Sequence, residues 1–219
     1  MAALVWDQTG ERFYEVGVSK GVLYPFNTST KAYDTGFAWN GLTGVTESPT
    51  GAEATPMWAD NMKYVNLVSA EEFGFTIEAY TYPDEFGLCD GTASLATGVS
   101  IGQQTRKMFG FSYVTIVGND VDGMDAGYKI HLIYGALAAP SEVSRTTVND
   151  SPEGVTFSWE CTTTPVPVTG FKATAKVEID SRTVDAGKLK TFEDMLYGTT
   201  PGTPKLPLPD EIKTHFAAA

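Results

Sequence analysis

The chain holds two histidines, His131 and His215, and two cysteines, Cys89 and Cys161. Hydrolysis by a serine or cysteine nucleophile needs a histidine base that is itself oriented by a carboxylate. His131 sits in an alternating stretch and faces away from Ile130 and Leu132, while His215 lies near the C-terminus. No nucleophile elbow, zinc spacing, phosphate loop or dinucleotide fingerprint accompanies them. Asp120, Asp122 and Asp125 supply closely spaced oxygens but lack the spacing and terminal glutamate of a calcium loop, so a solvated turn is expected. Glu160, Glu178 and Asp180 would make glycosidase-like carboxylates if strands paired them, and outward charges on half-exposed strands are the ordinary alternative. No catalytic residue, metal ligand or cofactor is assigned.

The elements that would have to position any such chemistry read as β-strands. Phe73 to Phe86 is the organising stretch: Phe73, Phe75, Ile77 and Ala79 share one face, and Thr76, Glu78 and Tyr80 share the other. Pro83 ends it, because proline lacks the ladder N–H and restricts the residue before it. Val155, Phe157, Trp159 and Cys161 alternate in the same way, as do Thr174 to Ile179. Arg106 to Val117 and Tyr128 to Leu137 read as a hairpin across a turn-rich connection, with Tyr128, Ile130, Leu132 and Tyr134 on one face. Phe13 to Tyr24 reads as two short extended pieces around a Ser19-Lys20-Gly21 turn, and Gly36 to Val45 as extended, bulged backbone. Lys63 to Val68 is a short strand, and the capping-box match at Ser69 to Glu72 is rejected as a helix because strict alternation follows it.

Pro25 to Asp34, Gly87 to Gly102 and Pro140 to Glu153 read as loops, and Thr46 to Met62 as a long irregular segment holding Pro49, Met57 and Trp58. Its apolar residues would be costly to leave in water, so it is expected to pack on something, including another copy of the chain. One helix is clear, Ala186 to Tyr197, with Leu189, Phe192 and Leu196 on one stripe, Asp185 as N-cap and Gly198 as the stop. Residues 1–12 read as an arm, and a proline-rich tail over 199–219 leads to a last turn at Asp210 to Phe216.

Composition narrows the classes. The 219 residues are 42% hydrophobic and 12% aromatic, enough for one globular core. No apolar run approaches the ~18 residues of a membrane span, and the N-terminus shows no secretory leader. The cysteines are far apart in sequence, so two reduced thiols are expected. With 27 acidic against 15 basic residues the net charge is −12, which argues against a protein that grips nucleic acid through counterion release. It suits a surface past which nucleic acid must slide, and it equally suits simple solubility.

A series of segments, in order, says more. Gly21-Val-Leu-Tyr-Pro25 and Ala38-Trp-Asn-Gly-Leu42 come first, followed by Glu47-Ser-Pro49, Gly51-Ala-Glu53, Ala59-Asp-Asn61, Lys63-Tyr64 and Ser69-Ala-Glu-Glu72. Glu78-Ala-Tyr-Thr-Tyr-Pro83, Gly102-Gln-Gln104 with Arg106, Tyr134-Gly-Ala136 and Pro140-Ser-Glu142 continue it. Asn149-Asp-Ser-Pro-Glu153, Phe157-Ser-Trp-Glu160 and Thr162-Thr-Thr-Pro165 complete it. Taken together the chain resembles the major tail protein, or tail tube protein, of long non-contractile-tailed bacteriophages and prophages of Gram-positive bacteria, over nearly its whole length.

The resemblance implies one mainly β tail-tube domain over 1–219, a β-sandwich or barrel-like body with a flanking helix, and no enzymatic activity. It implies a structural virion protein whose stacked, hexameric rings form a conduit for DNA, made in the host cytoplasm and built into the viral tail. Partners implied are further copies of itself, the tape measure protein, and tail terminator and distal tail proteins; DNA passes without specific binding. On that reading Pro49, Met57 and Trp58 are candidate inter-subunit contacts, and Glu78, Glu160 and Glu178 candidate lumen-facing residues. Two rivals remain: a carbohydrate-binding or adhesin-like module stacking sugar on Trp39, Trp58 and Tyr82, and a glycosidase using the strand carboxylates.

Overall fold

The computed structural model describes residues 3–148, 150, 154–200 and 202–217. Parts of the expected arm, the 140–153 loop and the 199–219 tail (positions 1–2, 149, 151–153, 201 and 218–219) lie outside the described residues. The first half of the chain forms β1 (Tyr14–Asn27), β2 (Ala32–Tyr33), β3 (Phe37–Trp39), β4 (Leu42–Glu47), β5 (Thr50–Gly51), β6 (Ala54–Ala59), β7 (Met62–Val68), β8 (Glu71–Glu72) and β9 (Gly74–Ala79). A short 3₁₀ turn (Asp84–Phe86) and a single helical turn, α1 (Gly87–Asp90), follow. The rest forms β10 (Ala93–Ala96), β11 (Val99–Ile101), β12 (Phe109–Asn119), β13 (Gly123–Ala138), β14 (Phe157–Thr163), β15 (Lys176–Asp180), α2 (Ala186–Tyr197) and α3 (Pro209–Phe216). This is a mainly β protein dominated by one large antiparallel sheet, with few short helices.

The sheet runs β2-β1-β12-β13-β14-β9-β4, with β3 added to β1 and β15 added to β13. Two devices turn it into a barrel-like body. First, β3 pairs with β1 and β4 pairs with β9, and only Asn40-Gly41 separates them, so the chain itself links the two ends of the sheet. Second, β13 pairs with β15 through Lys129–Ile133 and with β14 through Ala136–Ala138. The change of partner falls at Gly135, whose φ is +60°. A Cβ there would drive into the Thr164 carbonyl oxygen, so only glycine makes this bend.

The two faces of the sheet bury different cores. Inside lie Trp39, Phe75, Ile77, Phe86, Phe111, Ile133 and Trp159. On the outer face of β1, β13 and β15, Tyr24, Ile130, Leu132, Tyr134 and Ile179 pack beneath Leu189, Phe192 and Leu196 of α2 and Ile212 of α3. The helix α2 has the expected bounds and stripe. Asp185 caps it by accepting from the Lys188 N–H at 2.9 Å, and Gly198 ends it at φ +81°. Two buried hydroxyls pin the helical layer: Tyr24 donates to the Leu196 carbonyl at the end of α2 at 2.7 Å, and Tyr134 to the Pro207 carbonyl just before α3 at 2.9 Å. At α3, Glu211 accepts from the Leu208 N–H and Pro209 sits at the first turn.

Several sequence expectations need correction. Phe13 to Tyr24 is not two pieces around a turn: β1 runs unbroken, and the Ser19-Lys20-Gly21 signal marks bulges, with Gly17 and Lys20 at positive φ. The Pro25 to Asp34 loop is the end of β1 folding back onto β2. Gly87 to Gly102 contains α1 and the β10–β11 hairpin. Thr46 to Met62 is not irregular. It holds the end of β4, β5 and the first arm of the β6–β7 hairpin, whose turn places Asp60 and Asn61 at φ +51° and +59°, the left-handed pair of a type I′ turn.

Candidate functional site

The side chains flagged for chemistry are scattered. Glu160 lies between the inward Trp159 and Cys161, so it faces out, whereas Glu178 lies on the opposite side of the sheet, beside His131. Asp180 is paired with Arg182 at 2.6 Å. The glycosidase pair is therefore not assembled. Asp120 accepts from the Gly10 N–H and pairs with Arg12, and Asp122 accepts from the Asn119 side-chain amide, so two of the three aspartates are engaged by the arm and by Asn119. Among the described residues no His, Cys, Asp and Glu group converges as metal donors do, and no described helix is long and apolar enough to cross a membrane. The sugar platform is not formed either: Trp39 is 3% exposed, with its indole N–H donating to the Thr81 carbonyl, and Tyr82 packs edge-on against Phe157 and Trp159.

What the molecule presents instead is surface. Every residue of β6 and β7 is exposed, including Met57, Trp58 (69%), Met62, Tyr64 (74%), Leu67 and Val68. Among the described residues the hairpin pairs only with itself. A lone two-stranded hairpin is marginal in water, and this one shows apolar side chains on both faces. Leu95 and Val99 on the β10–β11 hairpin and Leu4, Val5 and Trp6 on the N-terminal arm are also exposed. The sequence picks out Met57 and Trp58; Tyr64 and Leu67 escape it because Lys63 to Val68 reads simply as a short strand. Pro49, also expected at a contact, is exposed and lines a cavity of about 700 Å³ at the base of the hairpin.

A second surface is the outer face of β4, β9 and β14. Thr46, Thr76, Glu78, Ser158 and Glu160 project from it, between inward-facing Val45, Phe75, Ile77, Trp159 and Cys161. The described helices pack on another part of the sheet, and the charged side chains of this face on these strands are the two glutamates. Two of the three candidate lumen residues thus share a face, and Glu178 belongs to a different place.

That place is the inner-face mouth of the barrel. An aromatic file runs from Phe75 through Phe111 and Tyr113 to His131, whose ring stacks on Tyr113 at 4.5 Å and 10°. Around His131 stand Glu15 of β1, Glu47 of β4, Thr115 of β12, Lys129 of β13, and Lys176 and Glu178 of β15. Lys129 bridges Glu15 and Glu178 at 3.0 and 2.9 Å, and Lys176 meets Glu47 at 2.6 Å. Tyr113 donates its hydroxyl to Glu47 at 2.7 Å. Burial pushes the Glu15 and Glu178 carboxyls up, but hydrogen bonds and the Lys129 charge outweigh it and hold both below their ordinary values. Burial holds His131 below its ordinary value, helped by Lys176 and opposed by Glu178, Glu15 and Glu47.

No protein-family model matches the chain, and no curated protein matches it. Among solved structures the chain is similar to one from the cryo-EM structure of the anti-feeding prophage (AFP) baseplate, 6-fold symmetrised. The TM-score is 0.35 at 9% sequence identity, covering 80% of this chain and 97% of that one.

Proposed function

We propose that this chain is a structural subunit of a phage tail tube, which self-assembles into stacked rings around a channel for DNA and is not an enzyme. The observation that carries this reading is the β6–β7 hairpin, a self-paired ribbon whose apolar residues are exposed on both faces. Covering it calls for a partner that wraps the ribbon, and a second copy of the chain is the simplest one. Where the ribbon docks on a different surface of the next copy, the contact is heterologous and repeats from copy to copy, closing into rings or extending into filaments. The order of sequence segments points the same way. Six copies per ring, and the tape measure, terminator and distal tail proteins as neighbours, follow from that resemblance, as does a place in the virion tail.

On this reading the β4–β9–β14 outer face turns to the lumen, with Glu78 and Glu160. Duplex DNA carries one charge per ~1.7 Å of axis, and a basic wall would bind it by counterion release. A wall of threonine, serine and glutamate repels it and lets it slide.

The test is assembly against stability. The purified protein is expected to form rings or tubes as its concentration rises. A Trp58→Ser, Tyr64→Ser double variant should stay a single chain by sedimentation. Its melting temperature should match that of the unassembled wild type, because substitutions at exposed sites change stability by about ±0.5 kcal/mol. A variant that assembles at normal yield overturns the hairpin's role.

A further inference from the structure

The hydrogen bonds at the barrel mouth fix the state of His131. The Thr115 hydroxyl lies 2.6 Å from Glu15 Oε1 and 2.8 Å from His131 Nε2. A carboxylate only accepts, so Thr115 gives its single proton to Glu15 and must accept from Nε2–H. In the neutral ring Nδ1 is then the acceptor. It is buried, has no hydrogen-bond partner, and looks at Glu178 Oε2 from 3.5 Å. While the ring is neutral, two acceptors face each other there. The side chain is 4% exposed, yet it borders a cavity of about 370 Å³ by which a proton arrives.

The surroundings are one positive charge short. Glu15, Glu47 and Glu178 face His131 with Lys129 and Lys176, which leaves one net negative charge while the imidazole is neutral. The cluster also does mechanical work. Among the described residues no backbone ladder joins β4 to β15; the Glu47–Lys176 pair does. Lys176 stands 3.7 Å from Glu178, so the carboxylate opposite Nδ1 and the ammonium that reaches β4 are neighbours on β15.

We infer that the mouth is a binding site for a single proton, centred on His131 Nδ1 and Glu178, and that filling it releases the β15 edge from β4. The proton goes to Nδ1, which becomes a donor to Glu178 Oε2. The new imidazolium draws Glu178 towards itself and repels Lys176, loosening its hold on Glu47. Tyr113 and Thr115 of β12 stay bound to Glu47 and Glu15. Because the folded protein takes this proton less readily than the unfolded chain does, stability from His131 is full above the unfolded value, ~6.5. It is lost as pH falls from there through the lower folded value. The Glu15 and Glu178 carboxyls titrate in a separate, more acid window below their ordinary values. The inference does not depend on the tube reading.

With two histidines in the chain, imidazole NMR resolves the site, and a His215→Gln variant assigns it. The His131 midpoint should fall below ~6.5. Amide exchange in Leu42–Glu47 and Lys176–Asp180 should quicken across the same interval. His131→Gln keeps a donor for Thr115 and has no charge to gain. Its melting temperature should fall less between pH 7 and 5 than the wild type's does. Should that variant not fold, Glu178→Gln serves: without the facing carboxylate the His131 midpoint should drop further. A midpoint at or above ~6.5, equal pH slopes for wild type and His131→Gln, or no response to Glu178→Gln overturns the inference.

Discussion

Cys89 and Cys161 lie in the inner core, both buried and unpaired. Burial pushes the Cys89 thiol up to about 12 and raises Cys161 as well. A thiol held that high is unreactive at neutral pH, since the thiolate is the nucleophile. The folded protein should therefore leave a thiol reagent at pH 8 essentially unconsumed. Unfolding without reductant should release two reactive groups per chain; fewer than two would mean the core holds a bond this account lacks. At this scale the sequence was half legible. Alternation alone showed that His131 turns from Ile130 and Leu132, and that Glu78 and Glu160 turn outward. It did not show that Glu15, Glu47 and Lys176 meet His131, because those residues come from strands brought together only when the sheet closes.

The most legible element was α2, where cap, stripe and stop agree. Leu196 is fully buried against Tyr24 and Tyr134. Truncating it leaves a cavity the sheet cannot collapse into, so Leu196→Ala should cost about 2–5 kcal/mol. Denaturant unfolding measures it, and a change within error would move the helix off the sheet. The β6–β7 hairpin was the least legible. Pro56 argues against a strand, and apolar residues on both sides of the ribbon erase the period of two. The structure tolerates Pro56 because both strands of a ribbon are edges. Asp60-Asn61 was the local clue, a pair at home in the left-handed turn that joins β6 to β7. The same logic explains β1, where bulges imitate a turn, and β13, where Gly135 lets one strand serve two partners.

For the whole molecule, the mainly β class was plain from repeated alternation, while closure of the sheet through β3 and β4 was not, since nothing local marks which distant edges meet. The proposed assembly divides the surface by task. The helices cover one part of the sheet, the apolar hairpin reaches for a neighbour, and the Thr-, Ser- and Glu-bearing face of β4, β9 and β14 is left bare. A cryo-EM reconstruction of the material formed by the purified protein tests that division most directly. The account predicts a hollow tube in which Trp58 and Tyr64 are covered by another copy, Glu78 and Glu160 line the channel, and the charge within a Debye length (~8 Å) of the lumen sums to a negative value. Particles that remain single chains at every concentration, or a tube whose channel wall sums to a positive charge, would contradict it.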